Sequence, residues 1–225
     1  MPQGLGRGYS FQGFIVPILE PAIKRAVTFV DGQNLFHHAK DAFGYHFPSY
    51  DILKLSESVC QLRNWNLAHA RFYTGVPDAT DNPFWNHFWT GKLASMGRQG
   101  IHVFTRSLRY RNKTVEIPGL GKRTFLTGEE KGIDVRIALD VIGLANRNQY
   151  DVGIIFSQDQ DLSEVADEVK LISRQQQRWV KIACAYPFSP TTQNKRGING
   201  TDWIHIERAM YDNCLDPRDY RPKGV

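Results

Sequence analysis

Cysteine is scarce in this chain: Cys60, Cys184 and Cys214 are three among 225 residues, widely spaced and without a Cys-x-x-Cys pair. That argues against a disulfide framework or a thiolate zinc site, and favours a reducing compartment. Long apolar runs are missing too. The most apolar stretch near the N-terminus, 14–23, is interrupted by Pro17, Glu20 and Pro21. It is too short and broken for a membrane span or a signal peptide, so a cytoplasmic protein is expected. No Gly-x-x-x-x-Gly-Lys-Ser/Thr loop occurs, which argues against P-loop nucleotide binding. Gly119-Leu120-Gly121 is too slight for a dinucleotide fingerprint, and no internal repeat is present.

What is there is a globular composition with a basic surplus. At 225 residues and 41% hydrophobic, the chain can build one α/β domain with a proper core. Lys+Arg number 28 and Asp+Glu 23, a net +5. Setting aside the four carboxylates argued below to face a metal leaves 28 against 19, a surface nearer +9. A basic surface around an acidic hole suits a polyanion whose phosphate enters the hole.

Residues 1–23, rich in Gly and Pro, read as an N-terminal arm, 24–214 as one domain, and 215–225 as a polar, mobile tail. Strands are expected at 25–31, 67–74, 101–105, 152–156, 179–185 and 203–206. Helices are expected at 33–41, 50–64, 84–97, 132–147, 162–175 and 207–214. Between 108 and 125 the periodicity lapses, consistent with an exposed hairpin or a flexible loop. Strands alternating with helices predict right-handed βαβ crossovers. They imply an α/β fold: a three-layer α/β/α sandwich around a central, mainly parallel sheet.

Two apolar strands end in acids: Ala26-Val27-Thr28-Phe29-Val30-Asp31, and 152–156 followed by Ser157-Gln158-Asp159-Gln160-Asp161. In parallel sheets ligands bind beyond the carboxyl ends of the strands. Asp31 or Asn34 has a plain alternative role, capping the helix that follows. Asp134 is more telling. At about 100° per residue it falls within the apolar stripe of Ile137, Ala138, Val141 and Ala145. A carboxylate aimed at a sheet needs something there to stabilise its charge. Asp140 lies on the flank and reads as solvated or salt-bridged. Asp159 and Asp161, two apart, face one side if the strand continues through them. Capping accounts for one of the two but not for both. Glu164 reads as surface charge. Asp31, Asp134, Asp159 and Asp161, with Asn34, form a hard oxygen set suited to Mg²⁺ or Mn²⁺.

The runs Phe29-Val30-Asp31-Gly32-Gln33-Asn34-Leu35, Glu130-Lys131-Gly132-Ile133-Asp134-Val135 and Ser157-Gln158-Asp159-Gln160-Asp161-Leu162 together resemble, in order and spacing, the three signatures of the NYN domain, a family of PIN-like nucleases. The resemblance covers roughly 25–206 and implies a helix-sandwiched parallel sheet and a metal-dependent ribonuclease. By motif match, Asp31, Asp134, Asp159 and Asp161 are its acidic metal residues, with Asn34 orienting a ligand or water. The third signature departs from the commoner Ser-Gly-Asp-Ser-Asp. Gln158 and Gln160 fill the variable places, and Glu164-Val165 stands where a proline is usual. That touches access to the site and choice of substrate rather than the acids.

Arg106, Arg109, Arg111, Lys113, Lys122 and Arg123 precede the second signature and suit a phosphate-gripping flap, against the plainer reading of a solvated loop. Arg109 and Arg111 project together if the segment is a strand. Lys131 is placed to neutralise the acids or meet the scissile phosphate. Phe84, Trp85, Phe88 and Trp89 read as a core stripe in preference to a base-stacking surface. His37 or His38, one turn beyond Asn34, stands within reach of the site. The expected activity is Mg²⁺/Mn²⁺-dependent endoribonuclease action on single-stranded or structured RNA, without membrane partners and with a homodimer left open. The rival is a catalytically silent RNA-binding module. A haloacid dehalogenase-type phosphatase ranks lower, because its motif wants an Asp two residues after the first and position 33 is Gln. An N-terminal arm lying across the site mouth would inhibit it.

Overall fold

The computed structural model describes residues 17–223; most of the expected N-terminal arm, 1–16, and with it the inhibitory role, lies outside the described residues. The elements run β1 (Lys24–Asp31), α1 (Gly32–Phe43), α2 (Ile52–Gln61), β2 (Trp65–Val76), α3 (Pro83–Arg98), β3 (His102–Ser107), β4 (Arg109–Ile117) and β5 (Gly121–Glu129). They continue α4 (Ile133–Asn146), β6 (Val152–Phe156), α5 (Ser163–Gln175), β7 (Lys181–Pro187), β8 (Asp202–Ile206) and α6 (Arg208–Asn213). Six strands form one sheet in the order β3-β2-β1-β6-β7-β8, every neighbouring pair parallel.

Alternation along β1 divides the core. Ala26 and Val30 face α1, α2 and α3, packing with Leu35, Leu55, Val59 and Phe88. Val27 and Phe29 face α4 and α5, packing with Ile137, Val141, Val165 and Val169. Each such side chain, fully buried, contributes about 1.5–3 kcal/mol. The three-layer sandwich expected from the sequence is the fold. Asp31 has the parity of Val27 and Phe29, so it ends β1 on the α4 side.

The first three helices start where the sequence supplies side-chain caps. Asp51 Oδ1 accepts the amides of Leu53 and Lys54 at 3.0 and 3.1 Å, opening α2. Asn82 Oδ1 accepts the Trp85 amide at 3.2 Å, with Pro83 in the first turn of α3. Gly32 lets α1 start tight against the sheet, since a Cβ there would stand 2.4 Å from Phe72 Cζ.

The stretch without periodicity is a hairpin: β4 and β5 pair antiparallel over Arg109↔Glu129 to Ile117↔Gly121, apart from the main sheet. Little of it is buried, which is why no apolar pattern marked it. The expected mobile tail is anchored instead. Leu215 bridges Tyr50, Asp216 meets Lys92 Nζ at 3.5 Å, and the Tyr220 ring lies 5.9 Å from that of Phe88. Lys92 is 1% exposed and draws the polar tail inward for a counter-charge. Among the described residues no helix is long and apolar enough to cross a membrane.

Candidate active site

Beyond the carboxyl ends of β1 and β6, a cavity of about 510 Å³ is lined by Asp31, Asn34, Glu130, Lys131, Asp134 and Asp159, among others. Strand and helix ends deliver each of them. Asp31 closes β1, Asp134 sits in the first turn of α4, and Asp159 follows β6. The plain capping role of Asp31 is also real, because its Oδ1 accepts the Asn34 amide at 3.0 Å. Capping and facing the cavity are compatible in one carboxylate. His37 lines the cavity and His38 does not.

Glu130 was not singled out from the sequence, although it stands in the second signature, four residues before Asp134. Its neighbour is Gly75, at the end of β2. A Cβ on Gly75 would stand 3.2 Å from Glu130 Cγ and 2.4 Å from Leu108 Cδ2, so glycine is what lets Glu130 tuck over the strand end. Both Glu130 carboxylate oxygens are buried without a hydrogen-bond partner among the described residues. Burial, then the charge of Asp31, pushes Glu130 up to about 7. The Gly75 amide opposes that rise without aligning on either oxygen. Asp31 is pushed up to about 6, by burial first and then by Asp159 and Asp134 against the pull of the Asn34 amide. None of these acids forms a salt bridge among the described residues. The cavity is a hole of mutually repelling carboxylates, and Lys131 lines its wall without an ion pair to any of them among the described residues.

Asp161 is not brought in. It is exposed and does not line the cavity, while its amide donates to Asp159 Oδ1 at 3.0 Å. The expectation rested on the motif match and on strand alternation, but β6 ends at Phe156 and residues 157–159 are not strand. A 3-10 turn over Gln160–Leu162 then swings Asp161 outward. Glu164 is exposed in the first turn of α5, as expected of surface charge. Asp140 is the salt-bridged residue anticipated, held below the usual carboxylate range by Tyr73 and Arg71 despite its burial.

Asn34 and the two unusual glutamines have structural partners. Asn34 Oδ1 accepts the Gln158 amide at 2.9 Å. Gln158 Nε2 donates to Arg196 O at 2.7 Å, and Gln160 Nε2 donates to Gly197 O at 3.0 Å. Both side chains hold the loop before β8 against the turn after β6. Of the basic residues, Lys131 lines the cavity, and Arg106 Nη1 donates to Lys131 O at 3.4 Å. In the hairpin register, Arg109, Arg111 and Lys113 pair with Glu129, Thr127 and Phe125, and Arg123 with Val115. Those four cations therefore share one face, and Lys122, opposite Glu116, projects from the other.

Among the described residues no group of three or more His, Cys, Asp or Glu is gathered closely enough to hold a metal ion by itself. The expected tight cage of four aspartates is thus a wider arc of Asp31, Glu130, Asp134 and Asp159. The donor set still fits a hard cation. Mg²⁺ keeps several waters and commonly takes only one or two carboxylates directly. The unpartnered oxygens of Glu130 are what such an ion would satisfy.

Residues 25–194 match the NYN domain, and the chain belongs to that family, within the PIN-like nucleases. No curated protein matches. Among solved structures, a protein of unknown function from Vibrio parahaemolyticus is similar at 17% identity and a TM-score of 0.47, over 82% of this chain and 93% of that one. MurG from Acinetobacter baumannii is similar at 11% identity and a TM-score of 0.31, over 81% of this chain and 45% of that one.

Proposed function

We propose that the protein is a Mg²⁺- or Mn²⁺-dependent ribonuclease, acting as an endonuclease on RNA phosphodiester bonds. The observation that carries this reading is the cavity in which Asp31, Glu130, Asp134 and Asp159 meet without a salt-bridge partner. Those carboxylates would hold the cation, Asp31 and Glu130 from the deepest positions. When bound, a divalent ion supplies an activated water and charge for the leaving oxygen. Lys131, on the wall, offers its ammonium to a phosphate oxygen. Arg106 steadies that segment through the Lys131 carbonyl. Asn34 acts on position, fixing the turn that carries Asp159. Arg109, Arg111, Lys113 and Arg123 lie on one hairpin face and would grip phosphates away from the cut, while Lys122 lies on the other face, with Tyr110.

Asp159→Asn tests this reading. Asparagine caps nearly as well as aspartate, so the turn survives while the charge is lost. The variant should keep the wild-type melting temperature and lose Mn²⁺-stimulated cleavage of a single-stranded RNA. Undiminished cleavage by the purified variant removes the proposed role. The second reading, a silent RNA-binding module, is favoured by the spacing of the acids, too wide for a preformed three-ligand cluster. RNA binding without cleavage under either metal would select it.

A further inference from the structure

A second cavity, of about 540 Å³, opens beside the acidic one. The two share Gln33 and His37 as walls. They also meet at Gly75, where Leu108 borders the second cavity and Glu130 the first, both packed against the space a side chain would fill. A strand whose phosphate enters the acids can therefore lay a neighbouring nucleotide in the second cavity.

The chemistry of that second cavity differs from the first. Rings from three separate elements border it: Phe36 of α1, Trp85 of α3 and Tyr110 of β4. Each of the three is only partly buried, so ring surface remains for a ligand. Phe88, one turn from Trp85, is 4% exposed and belongs to the core, as the stripe expected from the sequence required. Trp85 is where that stripe leaves the core and meets the cavity.

Asn82 and Asp81 stand at its edge. The Asn82 carbonyl is occupied by the Trp85 amide, which leaves its NH₂ as a donor, and Asp81 is an exposed acceptor. A carboxylate at the rim disfavours a phosphate and suits the N–H groups of a base edge. Aromatic walls with a few polar groups are how proteins hold a single unstacked base. A volume of about 540 Å³ is that of a small-ligand site.

Resting on the ribonuclease reading above, we infer that the Phe36–Trp85–Tyr110 cavity receives one unpaired nucleobase of the RNA at a fixed distance from the scissile phosphate. The base enters between the rings and turns its N–H edge to Asp81. A nucleotide held in a duplex cannot reach it, so the cavity would confine cleavage to single-stranded segments.

The experiment is an abasic scan. Fluorescent single-stranded RNAs, each with one abasic nucleotide at a different position, are tested for binding and cleavage with wild-type protein in Mn²⁺. One position should weaken binding by about tenfold, and it should keep a constant offset from the cleaved bond when the sequence is shifted. Trp85→Ala should bind intact RNA about tenfold more weakly and show a flat scan, with Trp85→Phe recovering most of the loss. Tyr110→Ala, on the exposed hairpin, provides a second variant whose folding is not at risk. A flat scan in the wild-type protein, with RNA still bound and cut, overturns the base cavity and leaves the ribonuclease reading standing. Failure to bind or cut any RNA removes both.

Discussion

Asn34 Oδ1 accepts the backbone amide of Gln158 at 2.9 Å, joining the first turn of α1 to the turn that follows β6. The hydrogen bond spans 124 positions in sequence and holds the two acid-bearing strand ends, Asp31 and Asp159, in fixed relation. Replacing Asn34 by Ala leaves a part-buried amide without an acceptor, which costs about 1–3 kcal/mol. At this chain length each kcal/mol is worth roughly 2–4 °C in melting temperature. Asn34→Asp keeps the acceptor but adds a charge among acids that already repel. Without divalent ions it should melt below the wild type at pH 7.5, and Mn²⁺ should restore more of the difference than it does for Asn34→Ala. Equal Mn²⁺ responses in the two variants would show that position 34 does not feel the acidic field.

The raised acids give the protein an unusual pH response. Glu130 and Asp31 titrate near 7 and 6 when folded, against ordinary carboxylate values near 4 when unfolded. Between those limits the folded chain binds more protons than the unfolded one, so stability rises as pH falls. The gain develops as pH drops through about 7 and 6 and is complete below about 4, where Asp140 and Asp151, held low by ion pairs, begin to remove stability. Thermal unfolding in chelator should show a melting temperature that climbs from pH 8 toward about pH 6.5, below which His37, His38 and His102, held low by burial, oppose the gain. Added Mn²⁺ should raise it most at pH 8 and least at pH 5. Glu130→Gln should flatten the chelator profile; an unchanged slope in that variant would assign the effect elsewhere.

The hairpin divides its charges by face, and that division is testable. Arg111, Lys113 and Arg123 neighbour Phe125, which is 51% exposed on the same face, and Arg109 lies further along that face. Charge removal at these four should weaken single-stranded RNA binding for all sequences alike. The slope of log affinity against log salt should shallow by about 0.7 for each phosphate that a removed cation had neutralised. Lys122→Ala, on the Tyr110 face but near the hairpin tip, should leave both affinity and slope near wild type. Filter binding across a salt series reads this directly, and a Lys122 effect matching that of Arg123→Ala would show that the hairpin is gripped from both faces.

How legible the molecule was depends on how much each part buries. β6 came out at 152–156 as expected, because all five of its residues are buried and four of them are apolar, three β-branched and one aromatic. The fold followed from such strands alternating with amphipathic helices. Asp134 was readable because a charge on an apolar stripe conflicts with its surroundings, and such conflicts mark sites. Glu130 gave no such signal: it lies between a hairpin and a helix, outside any periodic segment, and only Gly75 across the sheet shows why it is buried. Asp161 stands outside the cavity: the alternation rule was carried well past Phe156, where β6 ends, into the 3-10 turn. Tertiary partners decide these positions, and local pattern does not contain them.

The same limit explains the C-terminal segment, where a polar sequence hides a buried ion pair. Lys92 Nζ donates to Tyr50 O at 2.8 Å and faces Asp216, with the Tyr50 and Tyr220 rings at 5.3 and 5.1 Å. Burial pushes Lys92 down to about 8, with Asp216 opposing the fall. Asp216→Ala removes the counter-charge and leaves a buried ammonium, a change worth about 3 kcal/mol. The expected drop is roughly 6–12 °C at pH 7. Lys92→Met in the same background should recover much of it, since no charge then remains to be stabilised. The pH sign follows from a lysine depressed in the folded state: its charge burdens the fold below about 8, and the burden lifts as pH rises toward the unfolded value near 10.5. The difference between wild type and Asp216→Ala should therefore narrow from pH 7 to pH 9.5. A difference constant over that range would place the role of Asp216 in its bonds to Arg218 and Tyr220 rather than in its pairing with Lys92.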